Sequence, residues 1–249
     1  HSTPSRSAPS ARLAEQKLPR RLARPAFREV SRAVLTAIDP ALEELPFDFI
    51  RQGLAKRGAD MLKVLPNVHA TPARHVLPKE LSVLVHDLAS HAPTHMLAVY
   101  APSQAPRRTV TLFPVHDVIF AAHCAALPPL PPSNSAAPYN LTLPVVPLPL
   151  PHPASLPALS AFLYTQRADQ LLAALLPPLP PALARPAPAQ YARALAETYT
   201  QRALAAHALR VTGAWRNACA LGIHDDVFWR VLGAAWEVVL AALAMSVGR

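Results

Sequence analysis

The chain has 249 residues, 51% hydrophobic and only 16% charged, with a net charge of +9. That balance is too apolar for a wholly disordered protein, and the length suffices for one large domain or two small ones. The charge is not spread evenly, which excludes a uniformly basic protein: residues 1–30 carry seven Lys/Arg against two Glu, and the rest is nearly neutral.

Residues 1–25 read as a basic disordered tail, polar and without hydrophobic period. Lys17, Arg20, Arg21 and Arg24 are its densest part and are candidate nucleic-acid or nuclear-import contacts. A plain solvated tail is the competing reading. A mitochondrial presequence is a minor alternative, and no hydrophobic signal core precedes the sequon Asn140-Leu-Thr142.

Residues 26–93 read as N-terminal helices. One starts just after Pro25 and carries Phe27, Val30, Val34 and Ile38 at spacings of three and four. Asp39-Pro40 stops it and supplies a cap and first-turn proline for a short second helix. After Leu45-Pro46 a third helix presents Phe49, Ile50, Leu54, Met61 and Leu65 before ending at Pro66. Beyond a proline-broken loop, Leu81, Leu84, Val85 and Leu88 suggest a fourth.

Residues 94–176 form the centre. Met96–Tyr100 and Thr109–Phe113 are strand-like, His116 opens a short helix with Ile119, Phe120 and Cys124 inward, and a proline-studded stretch leads to a helix containing Tyr164. Because proline lacks a backbone donor, residues 144–153 are expected along an edge or in polyproline conformation, not in a central strand. Of the 30 prolines, 17 lie between Pro128 and Pro188. Residues 177–188 read as a stiff connector, with ligands for proline-binding domains as the alternative reading of the Pro-Pro-Leu-Pro-Pro runs.

Residues 189–249 contain no proline and read as a helical unit packed on the core. Tyr191, Leu195 and Tyr199 share a face, Trp215 to Leu221 makes a short helix closed by Gly222, and His224-Asp225-Asp226 caps a last one. The final helix carries Trp229, Leu232 and Trp236. Its apolar run is short for a membrane span and contains Glu237, so it is expected in a core.

Chemistry-bearing motifs are sparse. His86, His91 and His95 match no common zinc spacing, and adjacent His123 and Cys124 diverge on a helix. The two cysteines form no CxxC pair and read as buried thiols in a reducing compartment. No Gly-x-Ser-x-Gly turn or Gly-rich phosphate loop occurs. No cofactor, metal or catalytic residue is expected. His116, Phe120, Tyr164, Trp215, Trp229 and Trp236 are expected as structural core.

Phe113-Pro-Val-His116, Val118-Ile-Phe120 and Phe162-Leu-Tyr-Thr165 resemble, in order and separation, the motifs of a BTB/POZ domain. The sequence departs from that pattern at residues 125–132 and lacks an evident dimer-forming first strand, which puts homodimerisation in doubt. A wider resemblance covers nearly the whole chain. Pro93-Thr-His-Met-Leu-Ala-Val-Tyr100, Phe120-Ala-Ala-His-Cys124, Phe162-Leu-Tyr-Thr-Gln-Arg167, Trp215-Arg-Asn-Ala-Cys-Ala-Leu-Gly222 and Ala235-Trp-Glu-Val-Val-Leu240 are similar to the clampless family of basidiomycete fungi. That resemblance implies a role in sexual development, downstream of mating-type homeodomain factors, through protein contacts in the nucleus. It carries over no catalytic residues.

The expected protein is therefore α+β and mostly helical: a small BTB/POZ-like sheet with helical flanks. It is expected to be a non-enzymatic adaptor for homeodomain or zinc-finger transcription factors, nuclear with the cytoplasm as an additional site. Nucleic-acid binding through the tail is the alternative.

Overall fold

The computed structural model describes residues 18–70, 76–85, 91–104, 109–133, 140–178 and 187–247. Among them lie eight α-helices and one five-stranded mixed sheet, an α+β architecture dominated by helix.

Helix α1 (Arg32–Ile38) starts where Ser31 accepts a hydrogen bond from the Val34 N–H at 3.4 Å. A side-chain acceptor before the first turn satisfies a donor that would otherwise be orphaned. The helix expected just after Pro25 is thus later and shorter, and Phe27 is 76% exposed. The Arg28 N–H is already bound to a side chain elsewhere in the fold, which holds residues 26–30 outside the helix. Asp39 ends α1 and its Oδ1 accepts from the Ala41 N–H at 2.9 Å, opening the expected turn at Pro40–Leu42.

Helix α2 (Phe47–Val64) buries Ile50, Gly58, Met61 and Val64 along one stripe. Phe49, expected on that stripe, lies about 100° around the helix from Ile50 and is 61% exposed.

Strands β1 (Val68–Ala70) and β2 (Glu80–Val85) follow. The stretch from Leu81, expected as helix, is strand. Leu81, Leu84 and Val85 fit helical spacing, but Leu81, Val83 and Val85 also alternate, and these are the residues that are buried. A short apolar run satisfies both periods, and the ladder to neighbouring strands decides between them. Leu88 lies outside the described residues.

The centre follows the order read from the sequence. Strands β3 (His95–Tyr100) and β4 (Thr111–Val115) pair antiparallel and lead into α3 (Asp117–His123). Strand β5 (Asn140–Pro149) is followed by α4 (Leu156–Thr165) and α5 (Ala168–Leu175). The sheet order is β1-β2-β5-β3-β4, so the sheet takes strands from both sides of residue 93.

The central position of β5 corrects the expectation drawn from its prolines. Residues 140–144 pair antiparallel with β2, and residues 145–149 pair parallel with β3. The Val145 N–H reaches Lys79 on the β2 side, and the Leu150 N–H reaches Tyr100 on the β3 side. Alternation then turns positions 147 and 149 toward the β2 side, beyond the paired part of β2, and position 144 toward the β3 side, where the matching carbonyl would be that of residue 94, one residue before β3. Each proline thus occupies a position where no strand among the described residues is paired to receive the missing donor, so a central strand tolerates three of them.

Alternation also gives β5 two buried faces. Leu141, Leu143 and Val145 join Leu81, Val83, Met96 and Ala98 in one cluster. Val146, Leu148 and Leu150 face the main core, shared with Leu97, Phe120, Phe162, Tyr164 and the C-terminal helices.

Those helices are α6 (Pro188–Thr198), α7 (Gln201–Leu221) and α8 (Asp226–Val247). The short helix expected at Trp215 is the last part of α7, which starts where Thr200 caps Ala203. Gly222 ends it with φ 66°, a left-handed conformation that glycine adopts without a Cβ penalty. The Asp225 carboxylate accepts from the Phe228 N–H at 2.8 Å, the expected cap of α8. By length and composition α8 alone among the described residues is apolar enough to cross a membrane. Its Phe228, Leu232, Trp236 and Val239 are buried in the core.

Candidate functional site

The residues of interest gather where the N-terminal segment crosses the C-terminal helices. An indole N–H is a donor only, and a largely buried ring seeks one acceptor. The Trp236 Nε1–H donates to Pro19 O at 3.1 Å and the Trp215 Nε1–H to Ala23 O at 2.8 Å. Leu18 and Leu22 pack against the main core. The Arg24 guanidinium pairs with Asp226 and also donates to His224 O. The hydrogen bond from Arg24 to Asp226 holds the Asp226 carboxyl below the usual carboxylate range.

Four residues on, the Arg28 N–H donates to His224 Nε2 at 3.1 Å, and the Phe27 ring meets the His224 ring edge-on at 5.1 Å. Residues 18–28 are therefore an anchored arm. The expectation of a disordered tail over residues 1–25 is corrected for 18–25, because two indole donors and a carboxylate fix its backbone and one guanidinium. Lys17 lies outside the described residues. Arg20 and Arg21 are exposed, and Arg24 is committed to Asp226.

Beside the arm, the end of α3 meets the α7–α8 turn. An isolated antiparallel bridge joins Cys124 to Ile223, and the Ala126 N–H donates to Leu221 O at 3.0 Å. That register places His123 opposite His224. Both histidines line a cleft of about 500 Å³ together with Arg28, Arg32, Arg51 and Asp48. The Arg51 Nε–H donates to Ala122 O at 2.9 Å, while Arg32 stacks on the Phe47 ring at 4.0 Å. Burial, and secondarily the Arg51 charge, lowers the His123 pKa to about 3. Burial pushes the Cys124 thiol up, which opposes thiolate chemistry there.

The core residues expected from sequence divide by depth. Phe120, Tyr164 and Trp236 are buried, as is His116. Trp215 and Trp229 are half-buried and fix backbone, the Trp229 Nε1–H donating to Ile223 O at 2.8 Å. The His116 N–H donates to the Tyr164 hydroxyl at 2.9 Å; that hydroxyl in turn donates to His116 Nδ1 at 2.9 Å, and Nε2–H donates to His91 O at 3.0 Å. Every polar atom of that imidazole is satisfied, consistent with a structural role.

A Ser–His contact not singled out from sequence joins His152 to Ser155 at 2.8 Å. The Ser155 hydroxyl donates to Arg210 O at 3.1 Å, so it accepts from the imidazole and is not activated by it. Among the described residues no group of three or more His, Cys, Asp or Glu is placed to hold a metal. Of the three spaced histidines considered, His86 lies outside the described residues, and the His95 Nε2–H donates to Pro131 O at 2.8 Å.

The arm, the sheet and the C-terminal helices define a two-part protein, a mixed-sheet part followed by a helical part that clasps the N-terminal arm. Family models divide the chain in the same way. The Clampless protein 1 N-terminal domain matches residues 25–151 and the Clampless protein 1 C-terminal domain matches residues 169–249. The chain belongs to the clampless family, and membership points to clamp formation and sexual development in basidiomycetes. No curated protein and no solved structure matches it.

Proposed function

We propose that this chain is a non-enzymatic adaptor that regulates sexual development by binding transcription factors, homeodomain or zinc-finger proteins, in the nucleus. The observation that carries the reading is the anchored arm. Indole hydrogen bonds hold its backbone at Pro19 and Ala23 while Arg20 and Arg21, between them, stay exposed. A cationic patch on a preordered base costs a partner less ordering entropy than a free tail would. The strand, strand, helix, strand, helix order of residues 95–165 supports a BTB/POZ-like interaction module at the centre. Burial moves His123 and Cys124 away from useful acid–base ranges, which supports a non-catalytic reading.

The test is retention of the full chain by immobilised mating-type homeodomain and zinc-finger factors. Binding that Arg20→Glu/Arg21→Glu weakens supports the adaptor. Failure of every such factor to retain the wild-type chain overturns it.

A second reading, nucleic-acid binding by the same arm, is favoured by the exposed guanidinium groups of Arg20, Arg21 and Arg28. Phosphate contacts would make affinity fall steeply with salt. A mobility shift at low salt that vanishes at higher salt supports it, and no shift at low salt ends it.

A further inference from the structure

We propose that the cleft between the arm, α2 and the end of α3 is a binding site for a phosphate group. The inference is independent of the adaptor reading. It rests on one cleft of about 500 Å³ in which Arg28, Arg32 and Arg51 outnumber the carboxylates of Glu29 and Asp48, a volume within the usual range for ligand sites, about 300–1,000 Å³. His224 Nε2 accepts the Arg28 N–H, so in the neutral ring the proton sits on Nδ1. That buried Nδ1 has no hydrogen-bond partner, and neither has the buried Nε2 of His123 across the bridge. Buried polar atoms without partners are uncommon, and two on neighbouring residues that line one cleft point to a missing acceptor-rich group.

The guanidinium groups supply the charge. Arg51 spends its Nε–H on Ala122 O and reaches Asp48 only at 3.6 Å, leaving its outer nitrogens loosely held. The Asp48 side chain is 87% exposed, so it can swing into solvent when a stronger anion arrives. Arg28 lines the same cleft, and its guanidinium has no ion pair among the described residues. Planar guanidinium forks pair bidentately with carboxylate and phosphate alike, and a phosphate offers three acceptor oxygens and close to two charges for more than one fork to share. The group comes either from free phosphate or from a phosphorylated side chain.

Titration of the full chain, read by calorimetry and by the ring-nitrogen resonances of His123 and His224, tests the site with two probes, inorganic phosphate and N-acetyl-phosphoserine amide. Saturable one-to-one binding that moves both rings supports the site. Preference for the capped phosphoserine assigns it to a phosphorylated side chain, and equal affinity assigns it to free phosphate. Arg28→Gln removes no side-chain bond of the fold and is expected to weaken binding about tenfold; Arg51→Gln is the second variant, with folding checked by circular dichroism. Absence of saturation at millimolar concentrations of both probes, or unchanged affinity in Arg28→Gln, overturns the proposal.

Discussion

Gly58 of α2 lies directly against the carbonyl of Tyr164 at the end of α4, so close that a Cβ at position 58 would overlap that carbonyl oxygen. The contact is backbone to backbone, so no rotamer change relieves it. Gly58→Ala is therefore expected to destabilise the protein by about 3 kcal/mol or more. Gly53, on the same helix, has nothing within 4 Å of such a Cβ and no need of glycine. Gly53→Ala is expected to stabilise by about 0.5–1 kcal/mol. Chemical denaturation of both variants gives opposite signs if the crossing is as described, and equal effects would contradict it.

Tyr164 also carries a hydroxyl that serves both the backbone N–H and Nδ1 of His116. Tyr164→Phe keeps the ring and removes both partners in a buried site. A loss of about 1–3 kcal/mol is expected from the unsatisfied groups. Unfolding midpoints within experimental error of wild type would show that the pair adds nothing.

The buried and half-buried imidazoles set an acid limit. Burial lowers His116, His123, His152, His207 and His224 from their ordinary value of 6.5, His123 to about 3. The unfolded chain takes up these protons first, so their contribution is complete above about pH 6.5 and declines as the pH falls below it. For His123 the decline continues to about pH 3. Between about pH 7.5 and about pH 5 that residue alone accounts for a loss on the order of 2 kcal/mol. Urea unfolding at the two pH values measures it, and His123→Gln is expected to flatten the slope.

The arm has its own readout. Trp215→Phe deletes the donor to Ala23 O while keeping an aromatic ring at a half-buried position. Faster trypsin cleavage after Arg20 and Arg21 is expected, with little change in global stability. Arg24→Ala is expected to shift stability by less than about 1 kcal/mol, because its pair with Asp226 is solvent-exposed. Cleavage at the wild-type rate in Trp215→Phe would mean that the indole does not hold the arm.

Position along β5 decides what a proline costs. Pro147→Ala is expected to change stability by less than about 1 kcal/mol, since that position faces the side where β2 has ended. Val146→Pro removes a donor directed at β3 and is expected to cost about 3 kcal/mol or more. Comparable costs for the two substitutions would refute the alternation assigned to β5.

How legible this was depended on whether a feature was local. The caps at Asp39 and Asp225, the break at Gly222 and the order of elements from His95 to Thr165 follow from neighbouring residues and could be read directly. Strand β2 could not, because Leu81 to Val85 satisfies both periods and only pairing with Leu141 and Leu143 selects one. The prolines of β5 misled for a related reason: their tolerance depends on where β2 and β3 end, which no local window contains. The arm and the cleft were equally hidden. Nothing near Arg24 or His123 announces that Asp226 and His224 will lie beside them.

The placement of Pro147 and Pro149 has a consequence for how this molecule behaves in a crowded cell. Beyond the paired part of β2, no strand among the described residues pairs with that side of β5, and an unpaired strand edge is the kind of surface on which another chain adds a strand. At these two positions the edge offers no N–H, and their rings are exposed. A foreign strand laid there finds half of its expected hydrogen bonds missing and the approach blocked by pyrrolidine rings. The residues that made this strand look impossible protect it from unwanted association.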